Sequence, residues 1–328
     1  MRRLLYTLLT ASALIAQNSG GPSLGFVRDA SSRELRPILG IPGASRLGDP
    51  VSLPSSITEL FLAPGNLYAL AARGPADPIA IVQLSGVTAI QAAPALVPLP
   101  SEMTQRTLVA FSPTGRAAVL YSHQKHRLEV FSGLPSSPRV TESFAVNLAN
   151  ALERFAVSDD ATAVLAADST GIVYGLAANG APQIIYHAST VEALLFASQT
   201  TEALVADAEA TTVTVLQVSG SHAGVQKILP FSPTQCHAQG AALTTNGRTI
   251  LLACPAEQSI LSLDLTSGVS NSYAVAGSPA AFEATGVQDT FLLSPPDGNT
   301  YWLFGWRSNG PTISFIGAAR DPQAGAGK

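Results

Sequence analysis

The sequence predicts an all-β chain folded as a single β-propeller, and three observations predict it. First, five stretches align without a gap: Ala110–Ser122, Ala156–Asp168, Leu195–Asp207, Ala242–Cys254 and, more loosely, Phe282–Ser294. Each is a short apolar run, a polar turn and a second apolar run. Second, the middle leucine of the second run recurs at Leu120, Leu165, Leu204, Leu251 and Leu292, at spacings of 45, 39, 47 and 41 residues. A period of roughly 40–45 residues made of short strands corresponds to one four-stranded blade per repeat. Third, the 328 residues are 46% hydrophobic and only 12% charged, which disfavours disorder.

The chain opens on a secretory pattern. Arg2 and Arg3 precede the apolar run Leu4–Ile15, and small residues at Ala11, Ala13 and Ala16 offer cleavage sites. We read residues 1–16 as a signal peptide cleaved after Ala13 or Ala16; the alternative is an uncleaved anchor. Removal leaves 16 basic against 22 acidic residues, a net charge of −6. The only lysines are Lys125, Lys227 and Lys328. Nucleic acid is a poor partner for such a chain, because phosphate binding needs clustered Lys and Arg. Beyond residue 20 no apolar stretch reaches the ~18 residues of a membrane span, so no membrane partner is expected after cleavage.

The propeller is placed at residues 22–318. A hairpin of Leu24–Asp29 and Glu34–Leu39 comes first and aligns with the last two strands of the later units. Six complete units follow, over residues 59–97, 107–146, 153–187, 193–229, 239–275 and 281–316, each carrying four strands, a to d, from the channel outward. The unit starting at Thr107 shows the pattern: Thr107–Phe111, the turn Ser112-Pro113-Thr114-Gly115-Arg116, Ala117–Tyr121, Arg127–Phe131 and Arg139–Val146. Pro and Gly suit that turn. Twenty-six strands fit six or seven blades, the ring closing with help from the N-terminal hairpin, because pairing the termini removes an open edge. Leu148–Phe155 and Val191–Leu195 are rich in helix formers. The alignment outvotes propensity there, since sister units carry strand a at the same place. Residues 319–328, with Gln, Gly and Pro, read as a disordered tail.

With its Ser-Pro-x-Gly-Arg turn at Ser112–Arg116 and the variant Thr244–Arg248, each followed by an apolar strand, the chain resembles the bacterial YVTN/WD40-like β-propellers. The diagnostic Tyr-Val-Thr-Asn and Trp-Asp signatures are missing. The segment Leu24–Gly43 looks like the start of uncharacterised secreted bacterial propellers. The resemblance implies a ring of blades and often protein binding, and it carries no fixed catalytic set.

Candidate site residues follow from the topology. The b–c and d–a loops share one rim of the ring, where strand b ends at Ser122, Asp168, Asp207, Cys254 and Ser294. Asp168, Asp207, Ser122 and Ser294, with His123 beside them, are candidate ligand- or partner-binding residues of a polar funnel. The bland reading is strand ends capped by polar residues. His123 and His126 have His-x-x-His spacing, but no further ligand is placed beside them, so no metal site and no cofactor are expected. Cys236 and Cys254 flank one hairpin, roughly 5–6 Å apart if register permits, which suits a disulfide. The alternatives are two buried thiols or a thiol activated by His237. Trp302, Phe304 and Trp306 share one strand face, as blade packing or a carbohydrate platform would require.

The reading is a secreted or periplasmic propeller acting as a binding or scaffold module through loops on one face, with an unknown protein or small molecule as partner. The alternative is an enzyme in the central funnel, a lactonase-like hydrolase or quinoprotein-like dehydrogenase. That reading requires His or carboxylate groups from several blades to converge on the axis.

Overall fold

In the computed structural model, residues 22–28, 34–74, 77–85, 94–101, 103, 107–177, 180–232, 236–294, 301–307 and 310–317 are described. The segments read from the sequence as a signal peptide and a tail lie outside them. The described residues contain strands and turns only. Three strands come first: β1 (Ser23–Arg28), β2 (Leu35–Ile41) and β3 (Ala44–Leu47). Unit 1 follows with β4 (Glu59–Leu62), β5 (Tyr68–Ala72), β6 (Ala80–Gln83) and β7 (Leu96–Pro98). Unit 2 is β8 (Thr107–Phe111), β9 (Ala117–Ser122), β10 (Arg127–Ser132) and β11 (Arg139–Ala145). Unit 3 is β12 (Leu152–Val157), β13 (Val164–Asp168), β14 (Ile172–Leu176) and β15 (Gln183–His187). Unit 4 is β16 (Val191–Phe196), β17 (Glu202–Asp207), β18 (Thr212–Ser219) and β19 (His222–Pro230). Unit 5 is β20 (Gly240–Leu243), β21 (Thr249–Cys254), β22 (Ser259–Asp264) and β23 (Ser270–Ala274). Unit 6 is β24 (Ala281–Ala284), β25 (Thr290–Ser294), β26 (Trp302–Gly305) and β27 (Thr312–Gly317).

Each unit is an antiparallel four-stranded meander. Its second strand is buried on both faces, as in Tyr68–Ala72 and Ala117–Ser122. Such strands read as continuous apolar runs rather than as alternation, because both neighbours supply a dry surface. Alternate side chains serve different neighbours. Leu120 packs toward unit 1, whereas Val119 and Tyr121 pack toward unit 3. The fourth strands face outward, and β11 and β19 are mostly exposed.

Among the described residues, seven apolar clusters run round the molecule, five between neighbouring units and two between the N-terminal strands and units 6 and 1. The N-terminal strands occupy the place between units 6 and 1. Leu24, Val27, Ile38 and Leu47 pack on Leu292, Leu303 and Ile316 of unit 6. Phe26, Leu35 and Val51 pack on Ala69, Ala71 and Val82 of unit 1. The expected hairpin is therefore a three-stranded sheet, one strand richer than the sequence reading. β3 escaped that reading because it is only four residues long. It follows the Pro42-Gly43 turn, and only Ser45 and Leu47 of its residues are buried. It joins unit 6 through a short parallel pairing of Ile316 with Ser45 and Gly317 with Arg46.

Asn66 locks this junction. Its side chain accepts the Phe26 amide at 2.7 Å and donates to the Ala284 carbonyl at 2.7 Å, so one residue ties β1, unit 1 and unit 6. The Gly286 amide donates to the Leu24 carbonyl at 2.8 Å. Gly25 allows this approach. A Cβ there would stand 2.8 Å from the Gly286 nitrogen and 2.9 Å from Asn66 Oδ1, at a φ of +133°. Leu152–Phe155 of the first helix-prone segment and the whole of Val191–Leu195 lie in strands β12 and β16, where burial against neighbouring units overrides local preference, while residues 148–151 form the connection before β12.

Candidate functional site

The two rims of the ring are built differently. On the loop rim, where the b–c and d–a connections meet, strand b ends in the carboxylates singled out above. Asp168 is buried and fully engaged. Oδ1 accepts the Thr170 amide at 2.9 Å, the Thr170 hydroxyl at 2.7 Å and the Ile172 amide at 3.0 Å. Oδ2 accepts from Asn150 Nδ2 and the Tyr174 hydroxyl, both at 3.0 Å. Burial alone would raise its pKa, but the hydrogen bonds from Asn150, Thr170 and Ile172 outweigh that and lower it to about 2. The Tyr174 hydroxyl is pushed up by burial and by this carboxylate.

Asp207 repeats the device one unit on. It accepts the amides of Ser189 at 2.7 Å, Thr190 at 3.2 Å and Ala210 at 3.0 Å. Both carboxylates thus stitch the d–a connection to the b–c turn within their own sheet. Ser122 Oγ accepts the Lys125 amide at 3.3 Å. His123 is exposed and stands edge-on to Tyr121, with ring centroids 5.0 Å apart. Ser294 ends β25 opposite Ala281. These residues recur at equivalent places of different sheets.

Cys236 and Cys254 form a disulfide on the same rim, Cα atoms 4.9 Å apart, with both residues wholly buried. Beside it, the exposed His237 pairs with Glu257 through its Nδ1. Burial works to raise the Glu257 carboxyl, but the hydrogen bonds from His237 dominate and lower it. Trp302, Phe304 and Trp306 belong to the apolar cluster between units 5 and 6, with Trp306 stacked on Phe304 at 6.5 Å and edge-on to Tyr273 at 5.9 Å.

The turn rim carries the a–b turns. Each starts from a residue whose carbonyl closes the turn, such as Ser112 to the Gly115 amide and Thr244 to the Gly247 amide. A left-handed residue follows at Gly115, Ala161 and Gly247. The buried Ser112, Ser158 and Thr244 hydroxyls accept amides from the far side of the turn. Acidic side chains then link turn to turn. Asp159 of unit 3 accepts the Thr114 amide at 2.8 Å and hydroxyl at 2.5 Å from unit 2, and the Gln199 amide at 2.9 Å from unit 4. Burial pushes its pKa up, yet the Thr114 and Gln199 bonds bring it below the ordinary value. Asp289 of unit 6 accepts the amide and hydroxyl of Thr245 of unit 5, at 2.6 and 2.9 Å. Nothing in the sequence announced these links, since the partners lie about a full repeat apart.

A groove of about 730 Å³ opens on this rim across units 2, 3 and 4, lined by Arg116, Asp160, Thr201, Glu202 and Gln217 among others. Arg116 and Glu202 have side chains with no hydrogen bond or ion pair among the described residues. A neighbouring cavity of about 400 Å³ includes Phe196, Ser198, Thr245, Gln288, Asp289 and Phe291. The central channel, about 620 Å³, is lined by the first strands of all six units and by Arg28 of β1. No group of three or more His, Cys, Asp or Glu placed to hold a metal occurs among the described residues.

This architecture is that of a β-propeller, and solved structures bear the same fold. A functionally unknown protein from Desulfotomaculum acetoxidans superposes with a TM-score of 0.58 at 11% identity, over 90% of this chain and 100% of that one. A putative 6-phosphogluconolactonase from Bacteroides fragilis gives 0.56 at 12% identity, over 90% and 92%. The β-propeller domain of Cps50 (Swd1) from Myceliophteria thermophila gives 0.53 at 9% identity, over 86% and 96%. No protein-family model matches the chain, and no curated protein matches it. At these identities the likeness shows the fold alone.

Proposed function

We propose that the chain is an exported binding or scaffold propeller, of YVTN/WD40-like type, that holds its partner at the turn rim. The observation that carries this is the contrast between rims. On the loop rim the carboxylates Asp168 and Asp207 are engaged by nearby backbone amides and, for Asp168, by the Asn150, Thr170 and Tyr174 side chains. On the turn rim a groove spans three units and presents Arg116 and Glu202 uncommitted. Its floor is held rigid by the Asp159 links, and a rigid frame presenting unpaired charge suits recognition of a polar partner surface. The groove therefore replaces the loop-rim funnel as the favoured binding place. The start at residues 1–16 and the disulfide both support export.

The test is partner capture from the envelope or secreted fraction by immobilised protein. Capture by wild type should be lost in the double variant Arg116→Glu/Glu202→Arg and kept in His123→Ala/Glu153→Ala on the loop rim, with melting temperatures unchanged. Loss in the loop-rim variant alone would return the binding face to that rim. Equal capture by all three would remove the rims from binding. Turnover of a lactone that neither variant alters would place the activity in the channel instead.

A further inference from the structure

We propose that the central channel is a binding site for an amphipathic organic monoanion, its carboxylate held by Arg28. Arg28 ends β1 and is half-buried. It lines the channel and also a cleft of about 590 Å³ between the N-terminal sheet and unit 1, so it stands where the two meet. Its guanidinium makes no hydrogen bond or ion pair among the described residues.

The acidic groups facing the same spaces do not neutralise it. Glu34 pairs with Arg36 at 2.7 Å, Glu283 is engaged with another group, and Glu59 lies outside ion-pairing distance. Arginine cannot shed its proton, so it cannot escape the cost of partial burial by becoming neutral. A bound anion removes that cost, and a carboxylate fits the guanidinium fork with two parallel hydrogen bonds. Most of the surrounding wall is apolar, with Leu60, Leu62, Phe155, Leu195, Leu243 and Phe282 around it, and Ser112 and Glu283 are polar side chains in the same lining. The channel volume falls in the range of about 300–1,000 Å³ usual for small-molecule sites. A cation on an apolar wall selects an acid with a hydrocarbon body. This site is separate from the turn-rim groove.

The test is calorimetric titration of the purified protein with decanoate and 2-naphthoate, and with decan-1-ol as the neutral control. Wild type should bind at least one of the two acids saturably, more weakly as salt rises. Arg28→Met and Arg28→Gln should each weaken acid binding about tenfold or more while leaving decan-1-ol within twofold. Arg28→Lys should recover part of the loss. Ala241→Phe, which narrows the channel, should weaken acid and alcohol together. The rim variants above should leave acid binding unchanged, which separates failure of this proposal from failure of the rim reading. No saturable binding of either acid, or wild-type affinity in both Arg28 variants, would overturn the site. Undiminished binding in Ala241→Phe would remove it from the channel.

Discussion

Deleting residues 22–48 is expected to abolish cooperative folding. The segment buries Leu24, Phe26, Val27, Leu35, Ile38 and Leu47, all under a tenth exposed. Each such side chain contributes about 1.5–3 kcal/mol on burial, so the six together contribute on the order of 10 kcal/mol. That equals the usual 5–15 kcal/mol of a whole domain's stability, roughly speaking. The deletion also bares the facing sides of units 1 and 6 and strips β27 of its partner β3, leaving an edge open to association. Aggregation, or loss of any sharp melting transition, is the expected outcome in calorimetry. A soluble monomer melting at the wild-type temperature would mean that the six four-stranded units stand without the N-terminal sheet.

The second large effect is expected at Asp168. Asp168→Ala leaves the part-buried Thr170 and Ile172 amides and the buried Tyr174 hydroxyl without their acceptor. Losses of this kind cost about 3–5 kcal/mol in total, since hydrogen bonds to a charge are the strong ones and orphaned buried donors add desolvation. The melting temperature should fall on the order of 10 °C. The pH dependence has a definite sign. The folded pKa, about 2, lies below the unfolded value of 3.8. The carboxylate therefore stabilises the fold above pH ~4, and the contribution, on the order of 2 kcal/mol, is lost as pH falls toward 2. In Asp168→Ala this part of the acid limb should flatten. A variant that melts with wild type and keeps the wild-type acid limb would show that the carboxylate is not a structural brace.

Much of the ring was legible in the sequence because its signal is periodic. The buried second strands repeat a full apolar run every unit, with Leu120, Leu165, Leu204, Leu251 and Leu292 at its centre, and that signal outweighed the helix-forming residues around Leu152 and Val191. β3 was not legible, because a four-residue strand with one large apolar side chain, Leu47, has no period to detect. The candidate residues illustrate a second limit. The strand ends at Asp168 and Asp207 were found correctly in position, but their spacing could not say that their oxygens would be taken up by nearby amides. A carboxylate that caps a turn and one that faces a ligand look alike in sequence. Asp159 and Asp289 were invisible for the opposite reason. Their partners Thr114 and Thr245 belong to other units and meet them only once the ring is formed.

The most direct measurement of the ring account is amide hydrogen exchange across the N-terminal junction. Two amides report on it: Phe26, which donates to Asn66, and Gly286, which donates to Leu24. If the N-terminal sheet is part of the ring, Phe26 and Gly286 open only with the whole fold and exchange as slowly as the buried strand Thr249–Cys254 of unit 5. In Asn66→Ala their protection should drop ahead of that strand's. Phe26 and Gly286 exchanging at the rate of exposed turns in wild type, while Thr249–Cys254 stays protected, would contradict a ring held shut by its N-terminal strands.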